Sequence, residues 1–172
     1  MQIKVNFSNH NIIPDAHAKL AHEDDCILGN PIKSFPFELE NIPASTKTLA
    51  WTLIDYDAVP VCGFPWIHWS VANVPTTGNS LAISSGFSRN KDYQQIRGKN
   101  SFVTGLLADD FSSIENHYVG PTPPDQDHIY TLTVYALDSQ LDLSEGFYLN
   151  ELLKKMDGHV LEKTQIKLVG KY

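Results

Sequence analysis

Two acidic residues and two histidines stand where the sequence predicts that strands begin or end. Asp55 and Asp57 close an apolar run, and after a loop broken by proline and glycine His68 opens the next apolar run. Further along, the rigid turn Gly-Pro-Thr-Pro-Pro at 120–124 is followed by His128, again at the start of an apolar run. Because both histidines begin strands beside such turns, we expect them to share one pocket.

This set of side chains suits the binding of a small anion. An imidazole beside a carboxylate stays protonated near neutral pH, and it forms strong charge-assisted hydrogen bonds to phosphate, a carboxylate or a phospholipid head group. The Tyr130 hydroxyl is a further donor, Asp55 orients a ring or binds a ligand ammonium, and the prolines stiffen the wall. Because side chains alternate along a strand, Trp66 shares the face of His68 at the rim, while Trp69 points to the other face and the core. The predicted ligand-binding residues are Asp55, Trp66, His68, Gly120, Pro121, Pro123, His128 and Tyr130.

Length and composition restrict the class of protein. The 172 residues, 42% of them apolar, predict a single domain over residues 1–172. A net charge of -7 with no basic cluster argues against nucleic acid as a partner. No apolar stretch approaches the roughly 20 residues of a membrane-spanning helix, and no export signal precedes the first apolar run, so we expect a cytoplasmic protein. The two cysteines are predicted to be free thiols, and no cofactor is expected.

Alternating runs rich in β-branched and aromatic residues predict a mainly β protein. The predicted strands are residues 2–7, 48–54, 68–73, 130–137 and 164–169. Turns containing proline, glycine and asparagine separate them. We therefore predict an antiparallel, Greek-key-like β-sandwich with few peripheral helices, including one near the C-terminus.

One helix and one long connection complete the predicted layout. Apolar side chains at helical spacing predict a helix over residues 146–156, with Ser144 capping its start and Gly158 its end. Residues 76–113 are rich in glycine, serine and asparagine and only weakly periodic. They are interpreted as one long surface excursion.

Two ordered groups of motifs frame the predicted pocket. The first is Asp-Tyr-Asp-Ala-Val at 55–59, followed by His-Trp at 68–69 and Asn-Val-Pro at 73–75. The second is the 120–124 turn followed by His-Ile-Tyr at 128–130 and a Val-Tyr-Ala-Leu strand. Together they resemble, over most of the chain, the phosphatidylethanolamine-binding protein family in its bacterial Raf-kinase-inhibitor-like branch. The corresponding family motifs read Asp-Pro-Asp-Ala-Pro, His-Trp, Asn-x-Pro, Gly-Pro-x-Pro-Pro and His-Arg-Tyr.

The resemblance implies the same anion pocket, with Asp55, His68, His128 and Tyr130 as its polar lining. For some members it also implies regulation of a kinase or protease. Three positions depart from the family pattern. Tyr56 and Val59 replace prolines, which loosens the loop, and Ile129 replaces an arginine, which removes a positive charge.

Several functions compete on the sequence alone. The leading hypothesis is a non-enzymatic protein that binds a small anion, phosphate or phospholipid head group and regulates a partner protein through the pocket. The alternatives are a hydrolase using Asp and His acid–base chemistry, or a kinase or protease regulator acting by surface contacts. For hydrolysis, Cys62 and Ser70 lie near His68 but no oxyanion motif accompanies them. A mixed metal site of Asp55, His68 and His128 is a further alternative, without the helical or short-loop ligand pairs usual for catalytic zinc.

Structural roles compete at the same positions. Asp57 is interpreted mainly as a turn former whose side chain bonds its own backbone. For Asp55 the turn role and a role in the pocket are equally favoured. Residues 120–124 are as well explained by a tight turn as by a binding wall. The remaining histidines are assigned structural roles: His10, His17, His22, His117 and His159.

Overall fold

The computed structural model describes residues 1–90 and 94–172 and consists mainly of β-strands. In chain order, strands β1 to β10 are Gln2–Lys4, Cys26–Ile27, Asn30–Pro31, Phe37–Glu40, Thr48–Asp55, Trp66–Pro75, Ser80–Ile83, Ile96–Arg97, His128–Leu137 and Val160–Gly170. The α-helices are a single turn, α1 (Val59–Cys62), and α2 (Leu149–Met156).

Strands from two antiparallel sheets enclose the main apolar core. The larger sheet has the order β10-β9-β5-β6-β8, the smaller has the order β1-β4-β7, and β2 pairs with β3 separately. Because β9 comes from the second half of the chain yet lies next to β5, neighbours in the sheet are distant in sequence, as in a Greek key. The prediction of a mainly antiparallel β-sandwich with a C-terminal helix is confirmed.

Aromatic side chains dominate the core between the sheets. Trp51 of β5 and Trp69 of β6 meet edge to face with ring centroids 5.3 Å apart. Phe37 of β4 packs against Trp51 in the same way, at 5.5 Å. All eight residues of β5 are buried, because this central strand is covered on both faces. Edge-to-face packing of this kind fixes the relative position of the two sheets.

The predicted strands are present, but their ends differ from the prediction. The first strand ends at Lys4, which is three residues earlier than the pattern predicts. Strands β6 and β9 begin two residues earlier, at Trp66 and His128. Both pocket histidines therefore lie within strands, where His128 pairs with Gly170 of β10 and His68 lies between the paired residues Ile67 and Trp69.

Helix α2 packs on the outer face of the larger sheet through Leu152 and Met156. It begins at Leu149, and Ser144 is not its cap. Instead, Tyr148 precedes the helix and its backbone N–H donates to the Glu151 carboxylate at 2.7 Å. Gly158, with a φ of +78°, follows the last turn as predicted. Neither α2 nor any other helix in residues 1–90 and 94–172 is long and apolar enough to cross a membrane.

The segment 76–113 is not one surface excursion, and this prediction is wrong. It contributes β7, which pairs with β4, and β8, which pairs with β6. Ile83 and Phe87 are buried in the main core. Strands of four and two residues are too short to give a periodic signal, which explains why the pattern did not reveal them. Residues 91–93 of this segment lie outside the described part of the chain.

Candidate functional site

Three neighbouring strand ends bring the candidate residues together. Asp55, the last residue of β5, pairs with Trp66 at the start of β6 and with Tyr130 near the start of β9. Paired residues point to the same face of a sheet, and His128 shares the face of Tyr130 because it lies two residues away. One end of the central strands of the larger sheet therefore carries a carboxylate, an imidazole and a phenol.

A β-bulge turns His68 into the same space. Leu53 pairs with Trp69, whereas the next residue of β5 pairs with Ile67, so His68 is an extra residue in β6. The His68 ring lies edge-on to Tyr130 with ring centroids 4.9 Å apart, while Trp69 stays in the same interior layer. As predicted, His68 and Trp66 line the cavity and Trp69 lies in the core. The prediction that Trp69 points to the opposite face of the sheet is wrong, because the bulge at His68 interrupts the alternation.

These side chains line an open cavity of about 200 Å³. Six of the eight predicted ligand-binding residues belong to its lining, namely Asp55, Trp66, His68, Pro123, His128 and Tyr130. Most of the remaining wall is apolar and includes Val61, Phe102 and Pro124. The cavity therefore combines a small polar group of side chains with apolar walls, as ligand pockets usually do.

Gly120 and Pro121 do not belong to the lining, contrary to the prediction. The Gly120 N–H donates to the Pro31 carbonyl at 2.8 Å, and a Cβ on Gly120 would come within 2.2 Å of the His17 carbonyl oxygen. Pro121 packs against Gly170, where an added Cβ would lie 2.6 Å from the Pro121 Cβ. Both residues hold the turn against its neighbours, and so they position the cavity wall that follows them.

His128 lies between two carboxylates. Its Nδ1 donates to Oδ2 of Asp55 at 2.7 Å, and its Nε2 donates to Oδ1 of Asp125 at 2.9 Å. Burial disfavours a charge on this ring, but the hydrogen bonds to Asp55 and Asp125 outweigh burial and raise the pKa of His128 above its ordinary value. Each ring nitrogen faces a carboxylate oxygen, and only the protonated ring has an N–H donor for both.

Asp55 fills both of the roles that the sequence left open. Its Oδ2 orients His128, while its Oδ1 accepts the backbone N–H groups of Asp57 at 2.8 Å and Ala58 at 3.1 Å. The second set of bonds forms the turn that ends β5. Asp57 differs from its prediction, because its Oδ2 accepts the Ile129 N–H at 2.8 Å and so ties the loop to β9.

His68 is neutral, which corrects the expectation of two charged imidazoles. Burial lowers the pKa of His68 to about 4, although the Val119 carbonyl and the nearby Asp55 carboxylate act in the opposite direction. Nδ1 donates to the Val119 carbonyl at 2.7 Å, and the Val119 N–H donates to the His68 carbonyl at 3.0 Å. With the proton on Nδ1, Nε2 of the neutral ring is an acceptor.

Tyr130 keeps its proton at neutral pH. Burial, the negative charge of Asp55 and a hydrogen bond from the hydroxyl to that carboxylate raise the pKa of the Tyr130 phenol well above its usual range. The polar part of the cavity therefore combines His128 between two carboxylates, the neutral ring of His68 and a Tyr130 hydroxyl that donates to Asp55.

Phe102 lines the cavity, although the sequence pattern did not predict it as a site residue. Its ring meets Trp66 edge to face at 5.2 Å and closes one side of the cavity. The Asn100 side chain accepts the Phe102 N–H at 2.9 Å, and the Ser101 hydroxyl accepts the Ile67 N–H at 2.8 Å. These polar residues lie in the weakly periodic 76–113 segment, where no pattern indicated a role at the pocket.

The other candidate chemistries find less support in the geometry. Among the residues that the structure describes, no three His, Cys, Asp or Glu side chains are arranged to hold a metal ion. Cys62 lines the cavity, but its thiol lies 3.4 Å from the Ala58 carbonyl oxygen and 3.3 Å from that of Phe64, as a donor to both. Ser70 is buried.

The fold and site together define a class of protein: an antiparallel β-sandwich with a small pocket at its strand ends, built from a carboxylate–imidazolium pair and a second imidazole. A family model described as phosphatidylethanolamine-binding protein matches residues 4–171. The chain belongs to the phosphatidylethanolamine-binding protein family.

Relatives and solved structures agree with this assignment. The chain is 47% identical over 157 residues to the uncharacterized protein YxkA of Bacillus subtilis, covering 91% of this chain and 92% of YxkA. It is 31% identical over 137 residues to a UPF0098 protein of Methanothermobacter thermautotrophicus, covering 80% of each chain. The crystal structure of a putative phosphatidylethanolamine-binding protein homolog from Chlamydia trachomatis has a TM-score of 0.71 at 27% identity, covering 99% of this chain and 95% of that one. Escherichia coli YbcL, described as a new member of the mammalian family, has a TM-score of 0.75 at 20% identity, covering 99% of this chain and 98% of YbcL, which supports the fold alone.

Proposed function

We propose that the cavity binds a small anion, either phosphate or the phosphorylated head group of a phospholipid, without turnover. The observation that carries the proposal is the position of His128, whose two ring nitrogens lie 2.7 and 2.9 Å from carboxylate oxygens and which lies with Tyr130 in the lining of an open cavity. Hydrogen bonds from a charged donor to a phosphate oxygen are about twice as strong as neutral ones. Burial strengthens them further, because water competes less and the local dielectric constant is lower.

The charges of the lining favour a singly charged group. Among the lining residues that the structure describes there is no lysine or arginine, and the carboxylate of Asp55 offsets the charge of His128. Position 129, which is arginine in the family pattern, is isoleucine. A site with so little net positive charge suits a phosphodiester or a monoanion better than a dianion. The apolar rings of Trp66 and Phe102 suit the organic part of such a ligand.

Binding without turnover is supported by the state of the nearest nucleophiles. The Cys62 thiol is directed to the two backbone carbonyls of its own loop, at 3.3 and 3.4 Å. Ser70 is buried and does not belong to the cavity lining. A nucleophile in covalent catalysis needs a base within hydrogen-bond reach, and neither group is held that way.

The proposal includes a cytoplasmic location and a protein partner that responds to the filled pocket. Cys26 and Cys62 are free thiols, which fits a reducing compartment. Val61 of α1 lines the cavity and is 48% exposed, so a ligand in contact with Val61 alters a surface that a partner can contact. Capture of a partner that depends on the added ligand, and that is lost in a Val61→Lys variant which still binds the ligand, would support this part.

The histidine side chains themselves provide the test of binding. Phosphate and phosphoethanolamine are titrated separately into labelled protein near neutral pH, and the imidazole signals are followed by NMR. The rings of His68 and His128 should shift and saturate together, while the exposed His22 and His159 serve as internal controls. Tyr130→Phe should weaken the ligand by about 10-fold, because one buried donor is lost. Unchanged His68 and His128 signals at millimolar concentrations of both ligands would contradict the proposal, and release of phosphate from phosphoethanolamine would contradict binding without turnover.

A further inference from the structure

Both ring nitrogens of His128 already have partners. Nδ1 donates to Asp55 at 2.7 Å and Nε2 donates to Asp125 at 2.9 Å. The residue is only 1% exposed, so the ring has little room to reorient. An anion that enters the cavity can therefore bond to this ring only after one of the two carboxylates has moved.

The two carboxylates are held very differently. The side chain of Asp55 is 4% exposed and also accepts two backbone N–H groups of its own loop. The side chain of Asp125 is 51% exposed. Within residues 1–90 and 94–172, His128 provides the only hydrogen bond to the Asp125 carboxylate. Rotation of Asp125 into water frees only Nε2 of His128, which the entering ligand can then take, whereas movement of Asp55 would also leave the N–H groups of Asp57 and Ala58 without their acceptor.

We propose that Asp125 is a built-in competitor for the anion site. Its carboxylate oxygen occupies the position on Nε2 of His128 that a ligand oxygen takes, and binding displaces it. Carboxylate and phosphate oxygens are equivalent acceptors for an imidazolium N–H, so one replaces the other directly. The inference rests on the proposed function and adds to it a residue that sets affinity and selectivity.

Two consequences follow for the ligand. Each binding event breaks one charge-assisted hydrogen bond before it makes another, so the carboxylate lowers the affinity. After displacement Asp125 stays near the site, because it lies only three residues before His128. Its charge then repels a doubly charged ligand more than a singly charged one. Asp125 therefore acts together with Asp55 to select monoanions.

The experiment compares two substitutions in one turn. Asp125→Asn removes the competing charge, and Asp127→Asn makes the same change of net charge two residues away, where the carboxylate accepts from Lys171 and from the Tyr172 N–H. Inorganic phosphate and dimethyl phosphate are titrated into the wild-type protein and both variants by calorimetry near neutral pH. Asp125→Ser provides a second variant, and thermal melts report whether each protein is folded.

Asp125→Asn and Asp125→Ser should bind phosphate about 10-fold more tightly or better than the wild type, with a larger gain for inorganic than for dimethyl phosphate. Asp127→Asn should stay within about 2-fold of the wild type, since only long-range charge changes there. Binding by the variants at Asp125 but not by the wild type would also support the inference. Equal binding by all four proteins, weaker binding by the variants at Asp125, or an equal gain in Asp127→Asn would overturn the inference and leave the proposed function standing. No binding of either phosphate by any of the folded proteins would overturn both.

Discussion

Lowering the pH should destabilise the protein through His68. Its pKa is 6.5 when free and about 4 in the folded protein, because burial disfavours the charged ring. Between these values the unfolded chain binds a proton that the folded chain does not, so the free energy of unfolding decreases as the pH falls from 6.5 towards 4. The difference between the two pKa values corresponds to about 3 kcal/mol of the free energy of unfolding. This contribution is fully present above the pKa of the unfolded chain and is lost as the pH falls to the pKa of the folded protein.

The magnitude can be isolated with one substitution. In His68→Asn the amide Nδ2 replaces Nδ1 as donor to the Val119 carbonyl but does not titrate. Urea denaturation of both proteins at several pH values gives the difference in their free energies of unfolding, in which the contributions of titrating groups remote from His68 cancel. Between about pH 7 and pH 4 the wild type should lose about 3 kcal/mol more of its free energy of unfolding than His68→Asn does. A difference that stays constant within about 0.5 kcal/mol would refute the conclusion that the folded protein holds His68 neutral.

Two further pairs of substitutions test the framework around the site. Gly120→Ala should cost about 3 kcal/mol in thermal or urea denaturation, because its Cβ would lie 2.2 Å from the His17 carbonyl oxygen; Gly105→Ala, with open space around it, should stay within about 0.5 kcal/mol. A tolerated Gly120→Ala would show that the turn can move away from its neighbour. Asn73→Ala should cost about 3 kcal/mol, because two hydrogen bonds to the Leu141 backbone are lost at a residue with a φ of +60°. Asn73→Gly should recover about 1 kcal/mol of this loss, and no recovery would show that backbone strain is not part of the cost.

The sequence predicts the framework well because the framework rests on local patterns. Alternation identifies the long central strands, and the Pro-rich turn before His128 predicts the start of β9 to within two residues. The start of α2 is less predictable, because its cap is the Glu151 carboxylate bonded to the Tyr148 N–H rather than a serine hydroxyl. Short strands such as β7 have no periodicity to detect, and pairing with β4 alone defines them.

The site is only partly predictable for the same reason. Convergence of Asp55, His68 and His128 follows from strand ends and motif order. The charge of His68 does not, because burial and the contact with Val119 exist only in the folded protein. Phe102 enters the cavity from a segment without a pattern. The sequence does show a carboxylate, Asp125, three residues before a pocket histidine. The hydrogen bond between the two residues depends on the conformation of the turn, which the sequence does not reveal.

The most direct test of the central claim is a crystal structure of the protein soaked with phosphoethanolamine. We predict density in the cavity between the two imidazoles, with a phosphate oxygen within hydrogen-bond distance of Nε2 of His128 and another near the Tyr130 hydroxyl. An empty cavity at saturating ligand, or a ligand bound elsewhere with the His128 ring untouched, would contradict the account.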